Sequence, residues 1–273
     1  MGNNLIFAIS GIGGLAAGFL AGLFGIGGGL ILVPLLVYVF TAAGIAAQHV
    51  VAMALGTSMA AIAFSAAQSA YVHFRRGSAC VQTVCRAAPW AIAGVTLGTL
   101  VAAGISRAYL LIFVGCFQFI AAALMLTDVS RYAPVQTIAR RGVTLSACSF
   151  AIGGIAAVAG IAGGTLFTPY LTAGGMEPKR AMGTSAAIGL PVSLAGACAY
   201  AWEGRGVALG HWTVGYIHLP AVAALLLGTA LTVRSGVAVA HWLPSRVLAE
   251  AFAVFLVVNG IHLLYFASER ASS

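Results

Sequence analysis

The sequence predicts an all-α polytopic membrane protein made of two homologous halves, with about eight transmembrane segments in a single membrane domain over 1–273. Composition is the first reason: 61% of the residues are hydrophobic and only 7% charged, and the apolar runs are long enough to cross a bilayer many times. A soluble domain is thereby excluded. The second reason is a glycine-rich motif, Gly25-Ile26-Gly27-Gly28-Gly29 ahead of Pro34, answered 135 positions later by Gly160-Ile161-Ala162-Gly163-Gly164-Thr165 ahead of Pro169. The third is a tripeptide that follows each copy inside an apolar segment, Gly56-Thr57-Ser58 and then Gly183-Thr184-Ser185. A duplication that breaks its membrane helices at matching places points to a transporter, because two breaks can turn backbone polar groups towards one central site.

Taken in order, the apolar segments run over 5–40, 44–72, 87–105 and 108–127 in a first repeat of 5–127. A basic inter-repeat loop of 128–142 follows, then 143–173, 180–202, 213–233 and 246–266 in a second repeat of 143–266. Arg75-Arg76-Gly77, Ser106-Arg107, Glu177-Pro178-Lys179-Arg180, Glu203-Gly204-Arg205-Gly206 and Pro244-Ser245-Arg246 mark the other boundaries. Segments one and five are anomalous. As one helix, 5–40 would be roughly 54 Å long against a hydrocarbon core of about 30 Å. Neither glycine-rich stretch, each followed by a proline, can hold an uninterrupted helix. Non-helical backbone at membrane depth survives only against protein or a watery cavity, so both segments are expected to be helical hairpins or broken helices with glycine-rich tips. The first apolar stretch follows Met1-Gly2-Asn3-Asn4, with no basic residue and no cleavage site, and is expected to remain in the mature chain.

The net charge of +8 sits between the apolar segments, where topology signals belong, and does not point to nucleic acid. If segments one and five each cross once, the basic residues divide eight to five. If each folds back, Arg75, Arg76, Arg86, Arg131, Arg140, Arg141, Lys179, Arg180, Arg234 and Arg246 face Arg107, Arg205 and Arg270, a ten-to-three division. The second is the better positive-inside pattern, and it makes the halves inverted repeats with both termini outside.

Half-helix N-termini offer free N–H groups and the positive end of a dipole, so two of them meeting near the midplane would hold a small oxyanion without a buried cation. The clear interiors of the spans contain no Asp, Glu, Lys or Arg, and Glu250 lies in the first turns of its helix, where it complements the N-terminus or Arg246. Thr57, Ser58, Thr184 and Ser185 supply hydroxyls that can donate to an anion, although close helix packing is an equal explanation. The glycines have the same two readings, and Gly27 to Gly29 with Gly163 and Gly164 are expected to face a pore or substrate. Lys179 and Arg180 either draw anions to the mouth or mark topology. No metal site is expected, since the histidines show no pairing and Cys80, Cys85, Cys116, Cys148 and Cys198 show no CxxC spacing. A serine hydrolase is the weaker alternative, because neither Ser58 nor Ser185 stands in Gly-x-Ser-x-Gly. A channel for anions or neutral solutes is the other.

The paired motifs with Pro34 and Pro169, Ala54 to Ser58 with Ala181 to Ser185, and His73-Phe74-Arg75-Arg76-Gly77 resemble the sulfite exporter TauE/SafE family over roughly residues 10 to 266. The resemblance implies a multi-pass transporter of a bacterial inner membrane that exports sulfite, sulfonates, sulfoacetate or other small organic anions, with no enzyme activity and no cofactor. It implies a small anionic substrate and the lipid bilayer as partners, leaves a homo-oligomer open, and carries over Gly25, Gly27, Gly28, Gly29, Thr57, Ser58, Gly160, Gly163, Gly164, Thr184 and Ser185 as substrate-facing positions. Thr165, where the first copy has Leu30, adds a hydroxyl. Pro169 to Gly183 is 14 positions against 22 from Pro34 to Gly56, so the halves are unequal.

Overall fold

The computed structural model describes residues 2–24, 29–126, 142–207, 212–240, 242 and 245–269. The inter-repeat loop, apart from Gly142, and Gly25, Gly27 and Gly28 lie outside the described residues. Among the described residues ten helices form: α1 Gly2–Phe24, α2 Gly29–Ala42, α3 Ala47–Arg75, α4 Val81–Gly104, α5 Arg107–Leu126, α6 Gly142–Ala159, α7 Gly164–Ala173, α8 Pro178–Glu203, α9 Leu219–Ala240 and α10 Ser245–Glu269. Among the described residues five stretches are long and apolar enough to cross a membrane, Ala47–Arg75, Val81–Gly104, Pro178–Glu203, Leu219–Gly236 and Glu250–Ser268, and shorter apolar helices accompany them. The outward faces of α4, α5, α9 and α10 carry Leu97, Val101, Ile112, Ile120, Leu231, Val254 and Ile261, side chains that suit a lipid solvent.

The two over-long segments are broken where the glycines and prolines stand. Segment one becomes α1 and the 14-residue α2, and segment five becomes α6 and the 10-residue α7. The first break folds back, since a Cβ on Gly13 would meet the Leu35 side chain at 2.6 Å, and an uninterrupted helix would hold those residues far apart. The inequality of the halves is one helical turn taken from each limb of a hairpin. α7 is four residues shorter than α2, and the lead of α8 into Gly183 is four shorter than that of α3 into Gly56. Because the limbs are antiparallel, equal shortening keeps the Gly-Thr-Ser tripeptides in register with the breaks.

Packing comes in matched pairs. α1 lies along α9 as α6 lies along α4, α2 packs on α3 as α7 packs on α8, and α3 with α8 and α5 with α10 join the halves. Small residues make the approaches possible: Gly14 lies on Leu225 and Gly18 on Thr229, while Gly94 lies on Phe150 and Gly98 on Gly154. Both of these pairs run parallel. α3 and α8 run antiparallel, with Gly56 on Tyr200, Met59 on Gly196 and His73 on Gly183. α3 and α8 hold much of the core, including Met53, Leu55, Met59, Ile188 and Tyr200.

Segment 213–233 does not begin as a helix: Thr213–Val214 and Ile217–His218 form a two-stranded antiparallel hairpin, β1 and β2, before α9 starts at Leu219. Gly215, with a φ of 56°, makes its turn, and Pro220 at the start of α9 suits a first turn, where its missing N–H has no helical partner to lose.

Candidate functional site

The site is built where the two breaks meet. α6 ends with Ile161 N–H donating to Ala156 O and Gly160 N–H to Ala157 O, a Schellman closure that puts Gly160 in the left-handed region at φ 67°. Tyr200 Oη donates to the same Ala157 carbonyl at 3.0 Å and fixes this turn to α8. Gly163, again left-handed, then opens α7 without a side-chain cap, so the first N–H groups of that half-helix have no intrahelical partner. Gly29, the first residue of α2, lies against this turn: a Cβ on it would stand 3.0 Å from Ile161 Cγ2. Gly160 in turn faces Val33 of α2 and Leu55 of α3. Thus the two motifs, 135 positions apart in sequence, touch each other.

The Gly-Thr-Ser tripeptides do three separate things around this crossing. Gly56 admits the backbone of the α8–α9 connection, with Tyr216 O 3.0 Å from where a Cβ would be; Gly183 admits the α3–α4 connection, with Ser78 O at 2.8 Å. Thr57 Oγ1 accepts from the N–H of His218, two residues after Tyr216, at 3.1 Å. Thr184 Oγ1 accepts from the N–H of Cys80, two residues after Ser78, at 2.9 Å. Each half therefore receives the start of the other half's fourth helix with the same two residues. Ser58 Oγ donates to Gly160 O at 3.0 Å and Ser185 Oγ to Gly164 O at 3.1 Å. All four hydroxyl residues are essentially inaccessible.

The structure thus brings Gly29, Ser58, Gly160, Gly163, Gly164 and Ser185 to the breaks, with Thr165 in the first turn of α7, whereas Thr57, next to the Gly56 that lies on Tyr200, and Thr184, next to the Gly183 that lies on His73, stand roughly 20 Å apart along the α3–α8 pair. Both serine protons are committed to glycine carbonyls, so the serines hold the turns from which backbone groups are presented. Lys179 and Arg180 are exposed at the start of α8.

Gln118 was not legible as a site residue. Pro34 has no N–H, so the Leu30 carbonyl, four residues earlier in α2, has no helical donor. Gln118 Nε2 on α5 supplies one at 2.9 Å, from a side chain only 1% exposed. A lone glutamine among the apolar residues of α5 was the available signal, read against the proline of another segment.

A bundle of apolar helices in which two opposed breaks meet inside the protein is the architecture of membrane transporters. Residues 10–263 match the family described as "Sulfite exporter TauE/SafE", and the chain belongs to that family. It is also similar to a "Probable membrane transporter protein" of Haemophilus influenzae (strain ATCC 51907 / DSM 11121 / KW20 / Rd), with 33% identity over 256 residues, 92% of this chain and 95% of that relative. No solved structure matches. The protein is a multi-pass membrane transporter of the sulfite exporter class.

Proposed function

We propose that the chain is a secondary carrier of the bacterial inner membrane that exports small sulfur-containing or organic oxyanions, with one site where the two breaks meet. The observation that carries this reading is the contact between the two breaks, Gly29 on Ile161, at the start of the half-helices. N–H groups at Gly29, Gly163, Gly164 and Thr165, with Gly25, Gly27 and Gly28 in the adjoining motif, hold the anion, and the dipoles of α2 and α7 supply the positive potential. Ser58 and Ser185, with Gly160 in one of the turns, fix the backbone that presents those groups, while Thr57 and Thr184 hold the starts of α9 and α4 against α3 and α8. That Ser58 and Ser185 both donate to backbone carbonyls supports a binding rather than a nucleophilic role.

The halves act as inverted repeats. Helices at equivalent positions, α3 with α8, run antiparallel, as an axis in the membrane plane requires; an axis along the membrane normal would make them parallel. Alternating helix directions place the connections of Arg75, Arg76, Lys179 and Arg180 on one side and those of Arg107 and Arg205 on the other, in line with the ten-to-three division and with termini outside. Exchange of the two halves' conformations opens the site to each side alternately. An inside-negative potential drives a monoanion outward by about 2.3 kcal/mol per 100 mV, so export needs no further coupling.

Thermal stabilisation of the purified protein by sulfite, sulfate, thiosulfate, sulfonates and carboxylates, followed by counterflow in vesicles, tests the reading. A selective shift with counterflow is expected. Flux without counterflow would replace the carrier by a channel, and no shift with any anion would remove the site.

A further inference from the structure

Buried polar atoms left without a partner are rare, and each one asks for an explanation. Among the described residues five side-chain atoms are in this state, and two of them, Gln118 Oε1 and Thr165 Oγ1, stand at the first turns of the two half-helices. The two places are equivalent. Leu30 and Thr165 are the same position in the two motifs, 135 residues apart. Gly115 and Gly260 meet each other reciprocally where α5 crosses α10, which pairs Gln118 with Leu263. The first half thus has its polar group on the supporting helix and an apolar residue on the half-helix; the second half has the reverse.

The orientation of the Gln118 amide is decided by its bond to Leu30. Only Nε2 can serve a carbonyl, so Oε1 is the free end, and it can only accept. An acceptor is the wrong group to place by an anion site unless the anion brings a donor. Thr165 Oγ1, at the start of α7, can donate to a negative oxygen.

We propose that Gln118 and Thr165 select the cargo, and that the cargo is an oxyanion carrying its own N–H or O–H: an amino- or hydroxy-substituted sulfonate, or a singly protonated oxyanion. This rests on the anion-site reading above. Thr165 Oγ1 and the half-helix N–H groups take the charged end, and Gln118 Oε1 takes the donor. An anion without a donor leaves Oε1 buried and bare next to negative charge, a penalty that favours the donor-bearing form.

Three sulfonates of similar size test this: 2-aminoethanesulfonate, 2-hydroxyethanesulfonate and propane-1-sulfonate, compared by thermal stabilisation and by competition in flux. Wild type is expected to prefer the first two by about fivefold or more, the worth of one hydrogen bond. Gln118→Leu alone strips the Leu30 carbonyl of its donor, so it is combined with Pro34→Ala, which restores a backbone N–H there. Pro34→Ala by itself is expected to keep the preference and Pro34→Ala/Gln118→Leu to lose it while still binding propane-1-sulfonate. Thr165→Val weakens all three alike. A preference that survives in the double variant, or wild type binding all three equally, overturns the selection by Gln118. Failure of wild type to bind any of them while sulfite or a carboxylate binds overturns the donor-bearing cargo but leaves the anion site, and failure with every anion removes both.

Discussion

Alanine at Gly160 should be among the most damaging single-methyl additions in this protein. The residue has a φ of 67°, and a Cβ there would run into Val33 Cγ2 and stand 2.8 Å from Leu55 Cδ2. The left-handed conformation costs an alanine about 1–2 kcal/mol, and overpacking costs about 1–3 kcal/mol, so the two together come to roughly 2–5 kcal/mol. At roughly 2–4 °C per kcal/mol for a chain of this size, the melting temperature should fall by roughly 4–20 °C. Thermal unfolding in detergent, with substrate flux measured in parallel, reads this directly. The double variant Gly160→Ala/Val33→Ala separates the two causes, because trimming Val33 relieves the collision and leaves the backbone strain. It should be less damaged than the sum of the single variants by about 1 kcal/mol or more. Additive effects, or a Gly160→Ala protein that melts like wild type, would refute the account of why glycine stands there.

Three further expectations follow from the same geometry. Thr57→Val leaves the buried His218 N–H without its acceptor and should cost about 1–3 kcal/mol in thermal unfolding, Thr184→Val does the same to the half-buried Cys80 N–H at the lower end of that range, and the serine variants should keep most of the stability. His218 is buried and its Nδ1 accepts from Ala221 N–H at 3.2 Å; burial holds its pKa below the ordinary 6.5. The unfolded chain therefore takes up the proton first, so the stability this residue contributes is complete above about pH 6.5 and is lost as pH falls towards the folded value. Melting temperature should drop between about pH 8 and 5.5 in wild type and less in His218→Gln; identical profiles would exclude this residue as the cause. In a cysteine-free background, Arg76→Cys and Arg205→Cys should react with an impermeant maleimide from opposite faces of the membrane, Arg205→Cys from outside; labelling from the same face would refute the inverted arrangement.

How much could be read without the structure is clearest at the breaks. Gly160, Gly163 and Pro169 betray their turn locally, because left-handed backbone and a missing N–H are properties of single residues. The spans are equally local, since an uninterrupted apolar run satisfies its own backbone only as a helix. The hairpin at Thr213 to His218 was missed for a related reason: Tyr216 and Ile217 stand one residue, His218, ahead of the apolar run that begins at Leu219, and hydropathy does not distinguish a strand from the first turn of a helix.

By itself, then, the chain determined the membrane class, the positions of the breaks and the duplication, all of which depend on residue type and spacing. Only the tertiary structure decided what the repeated residues touch. Thr57 serves His218 across 161 positions, Ser58 serves Gly160 across 102, and Gln118 serves the carbonyl that Pro34 leaves open, 88 positions away. A hydroxyl or amide advertises its ability to hydrogen-bond in the sequence, but its partner is chosen by which buried backbone group the folded helices leave unsatisfied within reach.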